Sequence, residues 1–169
     1  MPFILDSTTG LTVSPPIAVA QGGTGAATAA AARTSLDVTY PAHGRVVRTA
    51  GDVTTTSTSL VDTPGATVTF TTGAFPVAYG AAQTSYNNTA GAHMLSNVAV
   101  DGVLQIGTSG IRYYQIGVNN RTNASFSGIT ATLTAASHTI KQVWRVSEGT
   151  GTIEAGTDFA HLFYAHEIR

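Results

Sequence analysis

The sequence predicts an all-β protein: a jelly-roll-like β-sandwich over residues 41–169, preceded by an extended N-terminal arm (1–20) and a short Ala-rich helical neck (21–40). Three observations lead there. After residue 40, short segments rich in Val, Ile, Thr and aromatic residues are separated by turn signals roughly every 8–12 residues. No helical apolar period appears in that region, and no internal repeat that would suggest a propeller. Only 10% of the residues are charged, against a typical value of about 25%. The surface is therefore clothed in Thr, Ser, Asn, Gly and Ala, which suits an exposed β protein or one that hides surface in an assembly.

The arm, 1–20, contains one small apolar cluster, Phe3, Ile4 and Leu5, and a Pro15-Pro16 pair that forces extended backbone. It cannot build a core alone, so docking onto another protein is expected, with Phe3, Ile4 and Leu5 as attachment residues. The neck opens on Gly22-Gly23-Thr24-Gly25, continues through an alanine block and closes on Arg33, Leu36 and Val38. Alanine is the strongest helix former, so Ala26–Ser35 is expected to be helical. About ten residues make a marginal helix alone in water. An alanine face does let another backbone approach closely, so the neck is read as an oligomerisation element. Its expected contact residues are Gly22, Gly23, Thr24, Gly25, Ala26, Ala29, Ala30, Arg33 and Leu36.

Tyr40-Pro41-Ala42-His43-Gly44 breaks the pattern and reads as a hinge. Beyond it, Ser59–Val61 and Thr67–Thr71 read as strands joined through Pro64-Gly65, and Val77–Gln83 follows. Met94–Val100 and Val103–Ile106 form a hairpin around Asp101-Gly102, a favoured turn dipeptide. Ile111–Val118 leads into the polar loop Asn119–Asn123, and Ser125–Leu133 returns. His138–Val146 is the clearest strand, with Ile140, Trp144 and Val146 on one face and Lys141 and Arg145 on the other. Thr150–Glu154 and Ala160–Ile168 complete the set, the last placing Leu162, Tyr164 and Ile168 opposite Phe163.

Two stretches resemble a known family. Gly22, Gly23, Thr24, Gly25 and Ala26, then Ala32, Arg33 and Leu36, look like a motif common in tail-fibre and receptor-binding proteins of tailed bacteriophages. Asp37 stands where that family usually has Gly, a change that a left-handed turn tolerates. Ser137–Arg145, a short Gly-Thr turn and the closing Leu162–Ile168 strand are similar to the terminal sandwich of many phage fibre proteins. The resemblance implies a homotrimeric virion-surface protein, a short tail fibre or spike assembled in the host cytoplasm. Its arm would attach to other virion proteins of the baseplate, tail or capsid, and its sandwich would face a host glycan or protein. A trimeric capsid decoration protein and a non-viral carbohydrate-binding module are the alternatives.

Other chemistries find little support. Net charge is −1 with 8 Lys plus Arg, so the basic stripe of a nucleic-acid binder is missing. Cysteine is absent, and Met1–Leu5 lacks the pattern of a secretory signal. No segment approaches the roughly 20 apolar residues of a membrane span, so membrane insertion is not expected. His161 and His166 fall on opposite faces of a strand, and His93 and His138 stand alone in sequence. All are read as surface or interface histidines, and no metal or cofactor is expected. Glu154 and Asp158 are the nearest approach to a glycosidase carboxylate pair, no Gly-x-Ser-x-Gly elbow occurs, and the chain is not expected to be an enzyme. Three Asn-x-Ser/Thr patterns, at Asn87, Asn120 and Asn123, read as polar loops. The remaining recognition chemistry is Tyr beside Asn, flat rings with hydrogen-bonding tips. Tyr86, Asn87, Asn88, Tyr113, Tyr114, Asn119 and Asn120 are the expected receptor-binding loop residues.

Overall fold

The computed structural model describes residues 4–6, 10–12, 28–29, 31–32, 41–108, 110–156, 158 and 160–169. The chain divides into two compact units, Met1–Tyr40 and Pro41–Arg169. In the first unit, β1 (Ile4–Asp6) and β2 (Gly10–Thr12) form an antiparallel pair with Leu5 opposite Leu11 in the register.

The second unit is an all-β domain with two antiparallel sheets. Its strands are β3 (His43–Arg48), β4 (Val53–Thr55), β5 (Val61–Thr71), β6 (Val77–Asn87), β7 (His93–Val100) and β8 (Val103–Leu104). They continue with β9 (Ile111–Tyr114), β10 (Thr122–Ile129), β11 (Ser137–Val146), β12 (Gly151–Glu154) and β13 (His161–Glu167). In the first sheet β6 is central. One of its edges pairs with β10; the other is shared by β13, opposite Val77–Ala82, and β12, opposite Thr84–Asn87. β3 lies outside β13, and β4 outside β12. The sheet therefore forks at Gln83. In the second sheet β11 lies between β5 and β7, and β7 pairs with β8 and β9 along its other edge. With the short strands β4, β8 and β12 set aside, the orders are β3-β13-β6-β10 and β5-β11-β7-β9, so the chain repeatedly crosses between sheets.

Period-two alternation builds the core from both sheets. Val77, Tyr79, Ala81, Phe126, Ile153 and Phe163 come from the first; Val68, Met94, Val98, Ile140, Trp144 and Val146 come from the second. A polar belt crosses this core. His161 Nε2–H donates to Gln142 Oε1 at 2.8 Å, and Gln142 Nε2 donates to Gln83 Oε1 at 2.6 Å. All three side chains are buried.

The expected plan of a jelly-roll-like sandwich behind an extended arm and a helical neck needs correcting. What stands is an all-β domain with two antiparallel sheets. The arm is not simply extended, because Ile4–Asp6 pairs with Gly10–Thr12. No helical element stands among the described residues. What is described of the alanine stretch is a single turn's bonding: Ala32 N donates to Thr28 O at 2.8 Å, and Ala31 N to Thr28 Oγ1 at 3.1 Å. Ala29, Ala31 and Ala32 have helical backbone, but a single turn of small residues fixes its dihedrals for very few hydrogen bonds and makes no helical element by itself.

Smaller expectations shift too. Pro64-Gly65 is not a turn between strands but a bulge inside β5. Asp62 lies opposite Val143 and Thr67 opposite Lys141, with Gly65 at φ 74°. Asp101-Gly102 forms the expected tight turn, both residues at positive φ. His161 is a core residue rather than a surface one, and His138 is not isolated, its Nδ1 lying 2.6 Å from Asp101 Oδ2.

Candidate functional site

Three connections of the β domain meet at one end: β6–β7 (Asn88–Ala92), β9–β10 (Gln115–Arg121) and β11–β12 (Ser147–Thr150). Their backbones are stitched together. Asn119 N donates to Asn87 O at 2.8 Å, Gly91 N to Gln115 O at 3.0 Å, and Asn88 N to Thr150 O at 3.1 Å. Asn side chains complete the frame. Asn87 Oδ1 accepts from Thr89 N at 2.9 Å, and its Nδ2 donates to Glu148 O at 3.0 Å. Asn88 Oδ1 accepts from Thr150 N at 2.8 Å. Asn can replace a backbone partner in this way because its short amide reaches neighbouring main-chain groups.

Gly149 is the tightest point. Its φ is 68°, and a Cβ there would lie 2.3–2.7 Å from the side-chain oxygens of Thr89, Asn88 and Asn87. Gly149→Ala is expected to cost about 1–3 kcal/mol, combining left-handed strain with displacement of the Asn frame. Chemical denaturation of the variant measures this, and a cost within experimental error would mean the frame is soft.

On this frame, side chains point into solvent. Ile116 is 91% exposed, Tyr114 61% and Val118 59%. Tyr114 is braced: Arg112 Nη1 donates to its hydroxyl at 3.2 Å, the guanidinium carbon lies 5.9 Å from the ring centre, and the His93 ring sits 5.6 Å away. Desolvation first, then the neighbouring Arg112 and Arg145 charges, lower the His93 pKa against an opposing pull from Glu148. At neutral pH its ring is therefore uncharged, suited to packing on Tyr114.

The structure sorts the residues expected from sequence. Tyr114, Asn88, Asn119 and Asn120 are exposed at this end, and Asn119 has φ 57°. Asn87 is fully buried and serves the frame. Tyr113 is core; burial pushes its phenol up to about 12, with the Ser96 hydroxyl pulling the other way. Tyr86 is half-buried opposite Thr152 on the first sheet. Of the neck set, Ala29 is exposed; Gly22, Gly23, Thr24, Gly25, Ala26, Ala30, Arg33 and Leu36 lie outside the described residues, as does Phe3 of the arm. Ile4 and Leu5 are in β1. Sequence reasoning did not single out Ile116 and Val118, although their alternation with Tyr114 beside an Asn-rich loop was the available signal.

Glu154 is held by Arg121, whose Nε lies 2.7–2.9 Å from both carboxylate oxygens. No group of three or more His, Asp or Glu arranged for a metal occurs among the described residues. No helix among them is long and apolar enough to cross a membrane. No protein-family model matches the chain, and no curated protein matches it significantly.

Proposed function

We propose that the chain is a virion-surface protein of a tailed bacteriophage, a short trimeric tail fibre or spike that presents the loop end of its β domain to the host surface. The observation that supports this reading best is the convergence of three loops on a hydrogen-bonded frame with Tyr114, Ile116 and Val118 directed outward. Single exposed apolar side chains are ordinary, but three within five residues form a contact patch. A rigid frame lowers the ordering cost of binding, and a braced tyrosine is a suitable anchor. The Gly/Ala-rich stretch from Gly22 would bring copies together, and Phe3, Ile4 and Leu5 would anchor the particle end. Three copies would turn a weak single contact into a strong one.

The test is competition. Purified protein is expected to block adsorption of the parent phage to its host. Tyr114→Ala and Ile116→Asp are each expected to weaken that block at least about tenfold, as loss of a contact anchor does. Both sites are exposed, so melting should stay near wild type. Undiminished blocking by both variants would remove the loop end as the contact. Immunogold label on the head rather than the tail would make the protein a capsid decoration instead.

A further inference from the structure

We propose that the outer face of the first sheet carries a second binding site, for a neutral pyranose sugar, over β6 and β10 beside the point where β12 and β13 part. This inference rests on the shape and chemistry of the sheet face and not on the virion assignment. β6 changes partner around Gln83: Ala82 lies opposite Leu162 of β13, and Thr84 opposite Glu154 of β12. The two partner strands part here, and the face beside the fork is concave. Two cavities adjoin, of about 400 and 300 Å³, sharing Ala82 and Ser125 as lining residues. Each falls within the range of small-molecule clefts, roughly 300–1,000 Å³.

The lining decides the ligand class. Ala82 and Ser125 are short, so a flat ring can approach the sheet closely. Tyr164 borders one cavity, its ring lying down against the sheet because residue 80 is glycine. A Cβ there would come within 2.5–2.8 Å of Tyr164 Oη, Cζ and Cε1. Thr84 and Asn123 border the other cavity, and the Thr84 hydroxyl donates to Asn123 Oδ1 at 2.7 Å. That bond fixes the amide and leaves its N–H groups as donors. Asn87, Asn88 and Asn97, by contrast, spend their amides on backbone groups.

A ligand that fits must offer a flat C–H face to tyrosine and several hydroxyls to short polar groups, both donating and accepting. A pyranose does both. Among the described residues no Lys or Arg lines either cavity, and Asp158 lines one of them, so phosphates and acidic sugars meet no counter-charge there. The floor mixes alanine with serine, which suits a hydroxylated ring better than an acyl chain.

The experiment is a ¹H–¹⁵N titration of the full chain with methyl β-D-glucopyranoside, methyl β-D-galactopyranoside and N-acetylglucosamine. Glucose 6-phosphate is the anionic comparison. At least one neutral sugar is expected to shift the amides of Ala82, Gln83, Thr84, Asn123 and Ser125 saturably. A single ring with few contacts is expected to bind with a dissociation constant on the order of 1–10 mM. Tyr164→Ala and Ser125→Leu are each expected to weaken binding at least about tenfold, while Tyr114→Ala leaves it unchanged. Ser125 is exposed on β10, so Ser125→Leu keeps the test decisive if Tyr164→Ala fails to fold. The site is overturned by any of three results: no saturable shift up to about 100 mM, shifts confined to residues 114–120, or preferential binding of the phosphate sugar. None of these touches the adsorption test, in which Tyr114 and Ile116 carry the effect.

Discussion

Replacing Trp144 with alanine is expected to destabilise the β domain by about 3–5 kcal/mol, the usual cost of removing a fully buried Trp. Trp144 is 1% exposed and lies on β11, between Val61 of β5 and Ser96 of β7. Its ring fills space between two sheets whose separation is held by the side chains around it, so the void left by alanine cannot close. Domains of this size are stable by only about 5–15 kcal/mol, so the variant loses a large share of the total. The chain has a single Trp, which makes the wild-type fluorescence a direct report on this site. Emission is expected to be blue-shifted and poorly quenched by acrylamide. A red-shifted, freely quenched signal, or a cost below about 1 kcal/mol, would contradict a core position.

The Trp144 position was legible because β11 alternates cleanly, with Ile140, Trp144 and Val146 inside and Lys141 and Arg145 outside. The Asp101-Gly102 hairpin was legible for a similar reason, its turn residues tolerating positive φ. β3 was not. His43–Arg48 holds only Val46 and Val47 as large apolar residues, follows a Pro, and occupies the outside of the sheet, where partial burial demands little of the sequence. In β5, Pro64-Gly65 carries a turn signature, yet β11 pairs on both sides of it and keeps the strand continuous. At the loop end, sequence could name Tyr113 and Tyr114 together but not say which faces the core. Nor could Asn-rich composition separate Asn87, which holds the frame, from Asn120, which is exposed. The trough on the first sheet was beyond sequence reading altogether. It depends on β6 meeting β10 and β13, strands that lie some 40 to 90 positions further along the chain.

Acidification is expected to weaken the domain between about pH 6.5 and pH 4, through His161. The side chain is 2% exposed, and desolvation, followed by repulsion from Arg48, lowers its pKa from 6.5 to about 4. Its Nε2–H is committed to Gln142 Oε1, so a second proton would have to enter the buried Nδ1 side of the ring. The folded state thus keeps His161 neutral in a range where the unfolded chain takes up the proton. The contribution is complete above about pH 6.5 and is lost as pH falls through the folded value, reaching about 3 kcal/mol. His138 acts with the opposite sign. The Asp101 carboxylate, helped by the Thr134 carbonyl, raises its pKa, so its contribution is complete below 6.5 and is lost as pH rises through the folded value. Asp101 is held below 3.8, chiefly by the Thr139 N–H and then by His138, so it titrates beneath this window. Urea midpoints between pH 7.5 and 4.5 are therefore expected to fall with acid in the wild type and in His138→Gln. In His161→Gln, which keeps an N–H donor toward Gln142 but cannot titrate, the curve is expected to flatten. Equal acid sensitivity in wild type and His161→Gln would show that another group takes up the proton.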